Sequence, residues 1–568
     1  MLKEVKSEIA KTIADVAQIS EAQALAAFEI PKEGFGDMAS KIAFMLASGQ
    51  KRNPVEIAGD IAEKLKTKKI KFIEKIETKG PYINFYFSNE FYIEALKKIL
   101  KEKEKFGKAK KTKNKIMVEF FHANTHKGVH IGHIRNIVLG EALCRVLEAD
   151  GNNVIRANYQ GDIGPHVAKC LWGFLNLYGG KAPAENRGTW LGKVYAEASE
   201  KIKENGELEK QVQEINLKLY SGDKETTKFW KMTRQWCLDD FEKFYREFGV
   251  KFGELYFESE TEKTGKKVVQ ELLKKGIVKR DQGAIVIDLK AENLGVSVLL
   301  TQEGYPLYST KDLGLAKIKF DKYKLDKSIH VVGKEQEFYF KQLFATFKRI
   351  GFKKAAEVSH HLIYELVMLP EGKMSSREGT MVLYGDLKEK LIEIAKSEVK
   401  KRHEDWPQKE IDSIALQIAL GALKFSMVRR ESNKVIVFDW DEALQLEGDT
   451  GPYLQYAHVR TNGILKKTKE KAKIGKSYAF TADEKKLVKK LAEFPEQVEK
   501  AAHDLALHYM AHYLLELATA FNKFYTTSPV LTAEKPAQLK SRLAMVQASS
   551  ILLQNGLHLL GMACPKKM

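Results

Sequence analysis

The chain has 568 residues, 44% of them hydrophobic, which indicates a folded protein of several domains. Its 94 lysines and arginines outnumber its 75 aspartates and glutamates, so the formal net charge is +19. This excess predicts a polyanionic partner, although a lysine-rich proteome would produce the same balance.

The cysteines and the N-terminal residues argue against a disulfide-rich, zinc-binding or secreted protein. The four cysteines are widely spaced, which argues against a disulfide framework and a structural zinc site. Residues 1–6 begin a charged amphipathic helix instead of a signal segment, and we expect no apolar run long enough to span a bilayer. The sequence therefore predicts a cytoplasmic protein that does not enter a membrane.

Residues 1–105 are expected to form an α+β domain that ends in the alternating strand 82–87. One face of this strand is apolar, and the other carries Tyr82, Asn84 and Tyr86, which could stack on and hydrogen-bond an unstacked base. A strand packed on both sides is the alternative that the pattern leaves open. The lysine-dense residues 101–115 are either a solvated linker or a contact to an RNA backbone, and the linker is favoured.

A strand, a loop and a helix start follow the linker. Residues 118–121 are typical of a buried parallel strand, and the residues from His130 onward have helical spacing. In a strand, loop and helix of this kind, the free backbone N–H groups of the first helical turn can bind an anion. Gly132 leaves room for a ligand, and His130 and His133 can donate hydrogen bonds to phosphate oxygens without a full charge. Histidines that merely cap or pack the helix are the alternative.

Residues 116 to about 400 alternate strands with helices, as a nucleotide-binding parallel sheet requires. A strand and a loop are predicted at residues 154–164, and further strands are predicted at residues 284–289 and 329–332. A helical insertion is predicted at about residues 170–276, with four tryptophans at packing positions: Trp172, Trp190, Trp230 and Trp236.

Tyr308 and Asp312 lie four residues apart on a predicted helix, which places an aromatic ring and an acceptor on one face. A planar cation needs such a combination. A surface aspartate beside a packed tyrosine is the alternative.

A second phosphate-suited tract begins at Lys373. Pro370 to Gly372 and Gly379 break regular structure around it and predict a loop. Lys373 could neutralise charge on a leaving pyrophosphate, and Ser375 and Ser376 could donate hydrogen bonds to it. Alone this tract would be a solvated loop, but with the first tract it favours a nucleoside triphosphate site.

From residue 412 to the end the pattern is almost wholly helical. Tyr453 and Tyr456 lie three residues apart, and Tyr525 follows on a later helix. Tyrosines on one helical face more often belong to a core than to a binding site.

The two tracts resemble the signature motifs of class I aminoacyl-tRNA synthetases. The flanking sequence resembles arginyl-tRNA synthetases of the archaeal or eukaryotic kind over nearly the whole chain. The tracts that carry this resemblance are residues 35–40, 80–85, 118–124, 158–162, 308–312, 369–380 and 448–458 with the terminal Met568.

The resemblance implies an α/β fold with a Rossmann-like class I catalytic domain at residues 116–400. It adds an α+β N-terminal domain at residues 1–105 that binds the D-loop of tRNA and an all-α anticodon-binding bundle at residues 412–568. The implied activity is that of an arginine–tRNA ligase. It activates L-arginine with Mg-ATP as substrate, without a tightly bound cofactor or metal, and charges tRNA(Arg). We expect it to be a monomer.

The resemblance also implies roles for single residues. The catalytic set is His130, His133 and Lys373, and the ATP-binding set is Gly132, Lys127, Ser375 and Ser376. The arginine-binding set is Glu119, Asn124, Tyr308, Asp312 and Gln336, and the tRNA-binding set is Asn84, Tyr453, Tyr456, Tyr525 and Met568.

Three positions near these sites set the chain apart. Many relatives carry proline where this chain has Thr125, and the usual tryptophan is replaced by Ile163. Both departures could alter loop stiffness or adenosine packing. Lys127 stands where relatives without the loop lysine often have a substitute, and our hypothesis is that Lys373 dominates.

Other functions have different requirements. A noncatalytic tRNA-binding paralogue need not keep His130, His133 and Lys373, and a small nucleotidyltransferase would not need the helical C-terminal third. A class I synthetase for another amino acid would not be expected to pair Tyr308 with Asp312.

Overall fold

The computed structural model describes residues 1–32, 34–370 and 383–568. The chain forms two compact units. One contains Met1–Lys108, Tyr456–Glu499 and His512–Gly556, and the other contains Ala109–Gln455, Lys500–Ala511 and Leu557–Met568.

The N-terminal residues combine amphipathic helices with a four-stranded antiparallel sheet. The helices are α1 (Leu2–Ala17), α2 (Glu21–Ala26), α3 (Ile42–Gln50), α4 (Pro54–Lys66) and α5 (Asn89–Glu102). The strands are β1 (Phe28–Glu29), β2 (Met38–Ser40), β3 (Ile73–Lys79) and β4 (Tyr82–Phe87), in the order β1-β2-β4-β3. The predicted strand 82–87 is confirmed as β4, an inner strand. Asn84 is 3% exposed between β2 and β3, so the face expected to meet a base is covered at this residue.

A five-stranded parallel sheet forms the centre of the second unit. Its strands are β5 (Lys115–Glu119), β6 (Asn153–Gln160), β7 (Glu254–Phe257), β11 (Lys327–Gly333) and β12 (Ser359–Tyr364), in the order β12-β11-β5-β6-β7. The helices of this part are α6 (Ile131–Ala149), α7 (Pro165–Asn176), α8 (Arg187–Glu204), α9 (Leu208–Ser221), α10 (Lys224–Phe248), α11 (Glu258–Lys274), α12 (Tyr308–Lys322), α13 (Glu337–Arg349) and α14 (Lys353–Val358). Parallel strands need long crossover connections, and these helices provide them. The predicted strand and loop at 154–164 and the predicted strand at 329–332 are confirmed as β6 with the loop after it and as β11, and the strand predicted at 118–121 is confirmed as β5, which begins earlier and ends at Glu119.

Two predictions for this region are wrong in part. The strand at 284–289 does not join the parallel sheet but lies in an antiparallel sheet of β8 (Lys279–Asp281), β9 (Ala284–Asp288) and β10 (Val296–Leu300). Its connections are too short for a parallel crossover. The insertion at 170–276 is not wholly helical, because it includes β7 at the edge of the parallel sheet. The packing role of the four tryptophans is confirmed: they contact apolar clusters of the insertion.

The remaining elements are mostly helical. They are α15 (Tyr384–Arg402), α16 (Gln408–Val428), α17 (Trp440–Ala443), α18 (Gly451–Lys466), α19 (Ala482–His503), α20 (His508–Thr527) and α21 (Pro536–Leu559), with the two-residue strands β13 (Val367–Met368) and β14 (Ile436–Val437). The helical prediction beyond residue 412 is confirmed, apart from β14.

Helix α16 is long and apolar enough to cross a membrane, so the expectation that no apolar run has this length is wrong. Of its most apolar window, 72% is buried inside the protein. This burial is what a core helix of a folded domain shows.

Arg135 ties α6 to the segments that lead into β13 and β14. Its guanidinium is fully buried and donates hydrogen bonds to the carbonyl oxygens of Glu365, Leu366, Ser432 and Lys434. Burial lowers the pKa of Arg135 to about 10, which leaves it charged at neutral pH. One planar side chain therefore satisfies backbone groups from two distant segments.

We expect Arg135→Met to lower the free energy of unfolding by about 3 kcal/mol or more, because the buried carbonyl groups lose their donor. Urea denaturation followed by tryptophan fluorescence measures this, since all six tryptophans lie in the unit that contains Arg135. Arg135→Lys keeps the charge without the planar fork and should lose less. A methionine variant as stable as the parent protein would contradict the role given to Arg135.

Candidate active site

A cavity of about 340 Å³ opens at the carboxyl ends of β5, β6 and β11. In an open parallel sheet this edge is where ligands bind. Five residues predicted to bind one ligand line this cavity together: Glu119, Asn124, Tyr308, Asp312 and Gln336. They come from β5, the loop after it, the first turns of α12 and the short 3-10 turn that joins β11 to α13.

Glu119 lies at the end of β5 and is buried with two partners. Its Oε2 accepts a hydrogen bond from Lys319 Nζ at 2.8 Å, and its Oε1 accepts one from His330 Nδ1 at 3.1 Å. Burial alone would raise the pKa of the Glu119 carboxyl, but Lys319 and His330 outweigh it and hold the pKa well below its usual value. Glu119 is therefore ionised and already neutralised by a lysine that is 1% exposed.

A second carboxylate of the cavity has its own lysine. Glu258, at the start of α11, accepts a hydrogen bond from Lys311 Nζ at 2.6 Å, and both side chains are buried. Burial alone would lower the pKa of Lys311, but the adjacent Glu258 raises it above its usual value. This pair also adds no net charge to the cavity.

Asp312 differs from both of these acids. It accepts a hydrogen bond from the hydroxyl of Tyr339, and among the described residues no lysine or arginine forms an ion pair with it. Burial, together with the charges of Glu119 and Glu258, raises the pKa of Asp312 to about 7. Tyr308, one turn earlier, is 70% exposed and places its ring at the cavity. This acidic group beside an open aromatic ring suits a planar monocation.

His130 and His133 form the start of α6. The Nδ1 atom of His130 accepts a hydrogen bond from the backbone of Gly132 at 3.1 Å, and that of His133 accepts one from the backbone of His130 at 3.2 Å. Burial, and then the charge of Lys127, lowers the pKa of His130 to about 4, and burial with His130 lowers that of His133. Each neutral ring must therefore carry its proton on Nε2, the atom that can donate to a phosphate.

The loop before α6 is held by hydrogen bonds. Thr125 donates its N–H to the carbonyl of Gly161 at 3.0 Å, and its hydroxyl lies 2.9 Å from Nδ1 of His126. A Cβ added at Gly161 would lie 2.3 Å from Oδ1 of Asn124, so a larger residue here would displace the Asn124 side chain. Ile163 is buried, and Lys127 places its ammonium 5.2 Å from the ring centre of Tyr195.

Three predicted site residues, Lys373, Ser375 and Ser376, lie outside the described residues. The tyrosines predicted to bind tRNA all lie within the described residues. Tyr456 is 39% exposed, and the ring of Tyr525 stacks on Phe521 and lies under the guanidinium of Arg460. The carbonyl oxygen of Met568 lies 3.0 Å from Nε2 of His403.

Sequence reasoning missed several residues of the cavity. Lys319 lies seven residues after Asp312, two helical turns along the same face, so the spacing could have indicated it. Glu258, His330 and Tyr339 come from other elements, and no local pattern marks them.

Comparison with known proteins agrees with this geometry. The family model described as "tRNA synthetases class I (R), catalytic domain" matches residues 95–440. The arginine–tRNA ligase of Bdellovibrio bacteriovorus is 36% identical over 95% of this chain and 93% of its own length. The chain belongs to the arginyl-tRNA synthetases.

Other members of the arginyl-tRNA synthetase family match over similar lengths. The arginine–tRNA ligase of Treponema denticola is 36% identical over 93% of this chain and 92% of its own. The solved structure of the Thermus thermophilus arginyl-tRNA synthetase has a TM-score of 0.82 and 28% identity, covering 99% of this chain and 100% of that one. Two further models match the flanking regions: "Arginyl tRNA synthetase N terminal domain" over residues 3–87 and "DALR anticodon binding domain" over residues 454–568. These relatives are bacterial, so the expected archaeal or eukaryotic affinity is not confirmed.

Proposed function

We propose that this arginyl-tRNA synthetase binds L-arginine in the 340 Å³ cavity, activates it with ATP and transfers it to tRNA(Arg). The assignment of arginine to this cavity rests on Asp312, which forms no ion pair with a described lysine or arginine. Two of the three acids that line the cavity are paired with buried lysines, which leaves Asp312 to match one guanidinium. A guanidinium is planar and always charged, and it stacks well on an open ring such as Tyr308.

Arginine then lies with its guanidinium between Asp312, Tyr308 and Gln336. Glu119 and Asn124 are proposed to hold the end that carries the ammonium and the carboxylate. Although Lys319 and His330 use both oxygens of Glu119, a carboxylate has further acceptor sites. This orientation places the reacting carboxylate near the start of α6.

The arginine carboxylate attacks the α-phosphate of Mg-ATP in line, which forms arginyl-adenylate and releases pyrophosphate. A 2′-hydroxyl of the terminal adenosine of tRNA(Arg) then takes the arginyl group and releases AMP. His130 and His133 donate hydrogen bonds from Nε2 to phosphate oxygens, Gly132 lets the nucleotide approach, and Lys127 adds positive charge. Catalysis is by positioning and charge stabilisation, without a covalent enzyme intermediate.

The remaining assignments rest on the family resemblance and the charge of the chain. We infer that Tyr453, Tyr456, Tyr525 and Met568 contact tRNA and that Ser375 and Ser376 bind ATP. The expected contact of Asn84 with tRNA is not proposed, because this side chain is covered. The domain limits are proposed as 1–105, 116–400 and 412–568. The protein is proposed to work as a cytoplasmic monomer that does not enter a membrane, and the +19 charge supports a polyanionic partner.

Asp312→Ala should reduce kcat/KM for arginine about 100-fold, because a charge-assisted contact to the guanidinium is lost. Arginine-dependent ATP–pyrophosphate exchange with tRNA present measures this, with lysine as the competing amino acid. The Kd for tRNA(Arg) should change less than about twofold. Asp312→Asn keeps the side-chain volume and should show the same pattern. Equal loss of arginine use and tRNA binding in both variants would contradict the proposal.

The same exchange reaction should depend on pH through Asp312. Because the guanidinium binds the ionised carboxylate, kcat/KM for arginine should rise about tenfold per pH unit up to the pKa of about 7 and then level off. The groups that face Asp312 are Glu119, Glu258, Tyr159, Tyr339 and Lys319. Asp312→Asn should remove this limb of the profile, and a limb that persists in this variant would assign it to another group.

Lys373→Ala should lower the rate of adenylate formation about 100-fold, because its charge is proposed to stabilise the leaving pyrophosphate. Lys127→Ala should lower it less. Single-turnover formation of arginyl-adenylate compares the two variants directly. If Lys127→Ala were the slower variant, Lys127 would be the main phosphate-binding lysine of this chain.

A further inference from the structure

His122 is the third residue after Glu119 and has an unusual backbone conformation. Its φ is +52°, in the left-handed region that non-glycine residues rarely adopt. Its backbone N–H donates to Oδ1 of Asn158 at 3.2 Å, which holds the residue in place. Strain of this kind costs free energy and concentrates at binding and catalytic sites. The conformation places the imidazole on the wall of the arginine cavity.

The two ring nitrogens of His122 are in different situations. Nδ1 lies 3.3 Å from the carbonyl oxygen of Tyr159, and since a carbonyl only accepts, Nδ1 carries the ring proton. Nε2 is then a bare acceptor. It is buried and has no hydrogen-bond partner among the described residues. A buried acceptor without a partner is costly, so a ligand that supplies a donor gains from the contact.

The surroundings of His122 keep the ring neutral. Burial lowers its pKa, and the charge of Lys319 acts in the same direction, against the opposing effect of Glu119. His122 also contributes to the pKa shifts of both Glu119 and His133. His122 therefore lines the cavity and is near enough to His133 to act on its charge.

We propose that His122 is an arginine-binding residue whose Nε2 accepts a hydrogen bond from the α-ammonium of the substrate. Arginine has two donor groups, the guanidinium and the ammonium, and the proposed function gives the guanidinium to Asp312 and Tyr308. The ammonium and the reacting carboxylate are bonded to the same α-carbon. The ammonium is therefore expected at the end of the cavity nearest His133. His122 thus helps to fix the carboxylate for attack on the α-phosphate. This inference rests on the proposed function.

The test compares arginine with its des-amino analogue, in which hydrogen replaces the α-ammonium. His122→Leu should raise the KM for arginine about tenfold or more, as expected for one lost hydrogen bond to a charged group. The Ki of the analogue, measured as a competitive inhibitor of arginine-dependent exchange, should change less than about twofold. The KM for ATP should also stay within about twofold, which shows that the loop is still folded. His122→Gln retains an acceptor and should recover part of the arginine affinity.

Asp312→Ala is the matched control with the opposite pattern. It should weaken arginine and the analogue equally, because both carry the guanidinium. If His122→Leu weakens both ligands equally, or leaves the KM for arginine unchanged, the role given to His122 is wrong. If the parent protein shows no arginine-dependent exchange, or if Asp312→Ala leaves the Ki of the analogue unchanged, the proposed function itself fails.

Discussion

The buried ion pair between Glu119 and Lys319 determines what the cavity can bind. A carboxylate at the centre of a parallel sheet is stable in ionised form only with a nearby cation, and Lys319 supplies it at 2.8 Å. The ion pair between Lys311 on α12 and Glu258 on α11 neutralises a second acid in the same way. Lysines of the protein neutralise Glu119 and Glu258. Among the described acids of the cavity, Asp312 is therefore the one that can pair with a cationic ligand. Under the proposed function, selectivity for a monocation follows from the charge balance of the whole cavity more than from any single contact.

The second constraint is the backbone between β5 and α6. This loop includes three left-handed residues, Phe121, His122 and His126, which have φ values between 52° and 81°. Asn136 and Asn158 hold the N–H groups of the first two, and Cys237 accepts the N–H of the third. The sharp path lets one short segment connect Glu119 and Asn124, which line the cavity, to the two histidines at the start of α6. Local strain is offset by hydrogen bonds from α6, β6 and α10.

The sequence predicted the features that depend on neighbours along the chain. The apolar run before Glu119, the helix start at His130 and the four-residue spacing from Tyr308 to Asp312 all involve residues within one or two turns of each other. It failed where long-range pairing decides. The strand at 284–288 has the composition of a sheet strand, yet short connections give it antiparallel partners. The alternation around Asn84 left open whether one face of the strand is exposed or both are packed, and the long-range pairing decides this, since β4 is an inner strand and the amide is covered. The spacing places Lys319 on the same helical face as Asp312, but its pairing with Glu119, and that of Lys311 with Glu258, depends on how α12 packs against other elements.

Thr125 departs from the family sequence in the loop before α6, and hydrogen bonds constrain the loop at this position. Proline, which many relatives have at this position, stiffens a loop by fixing φ in both the folded and the unfolded chain. Threonine has no such restriction, but it has an N–H and a hydroxyl, and both form hydrogen bonds here. The chain of contacts continues from His126 to the hydroxyl of Thr233 on α10 at 2.8 Å. In this chain, hydrogen bonds to Gly161 and, through His126, to Thr233 of the insertion therefore hold the loop that leads to the histidines, where many relatives have a proline ring.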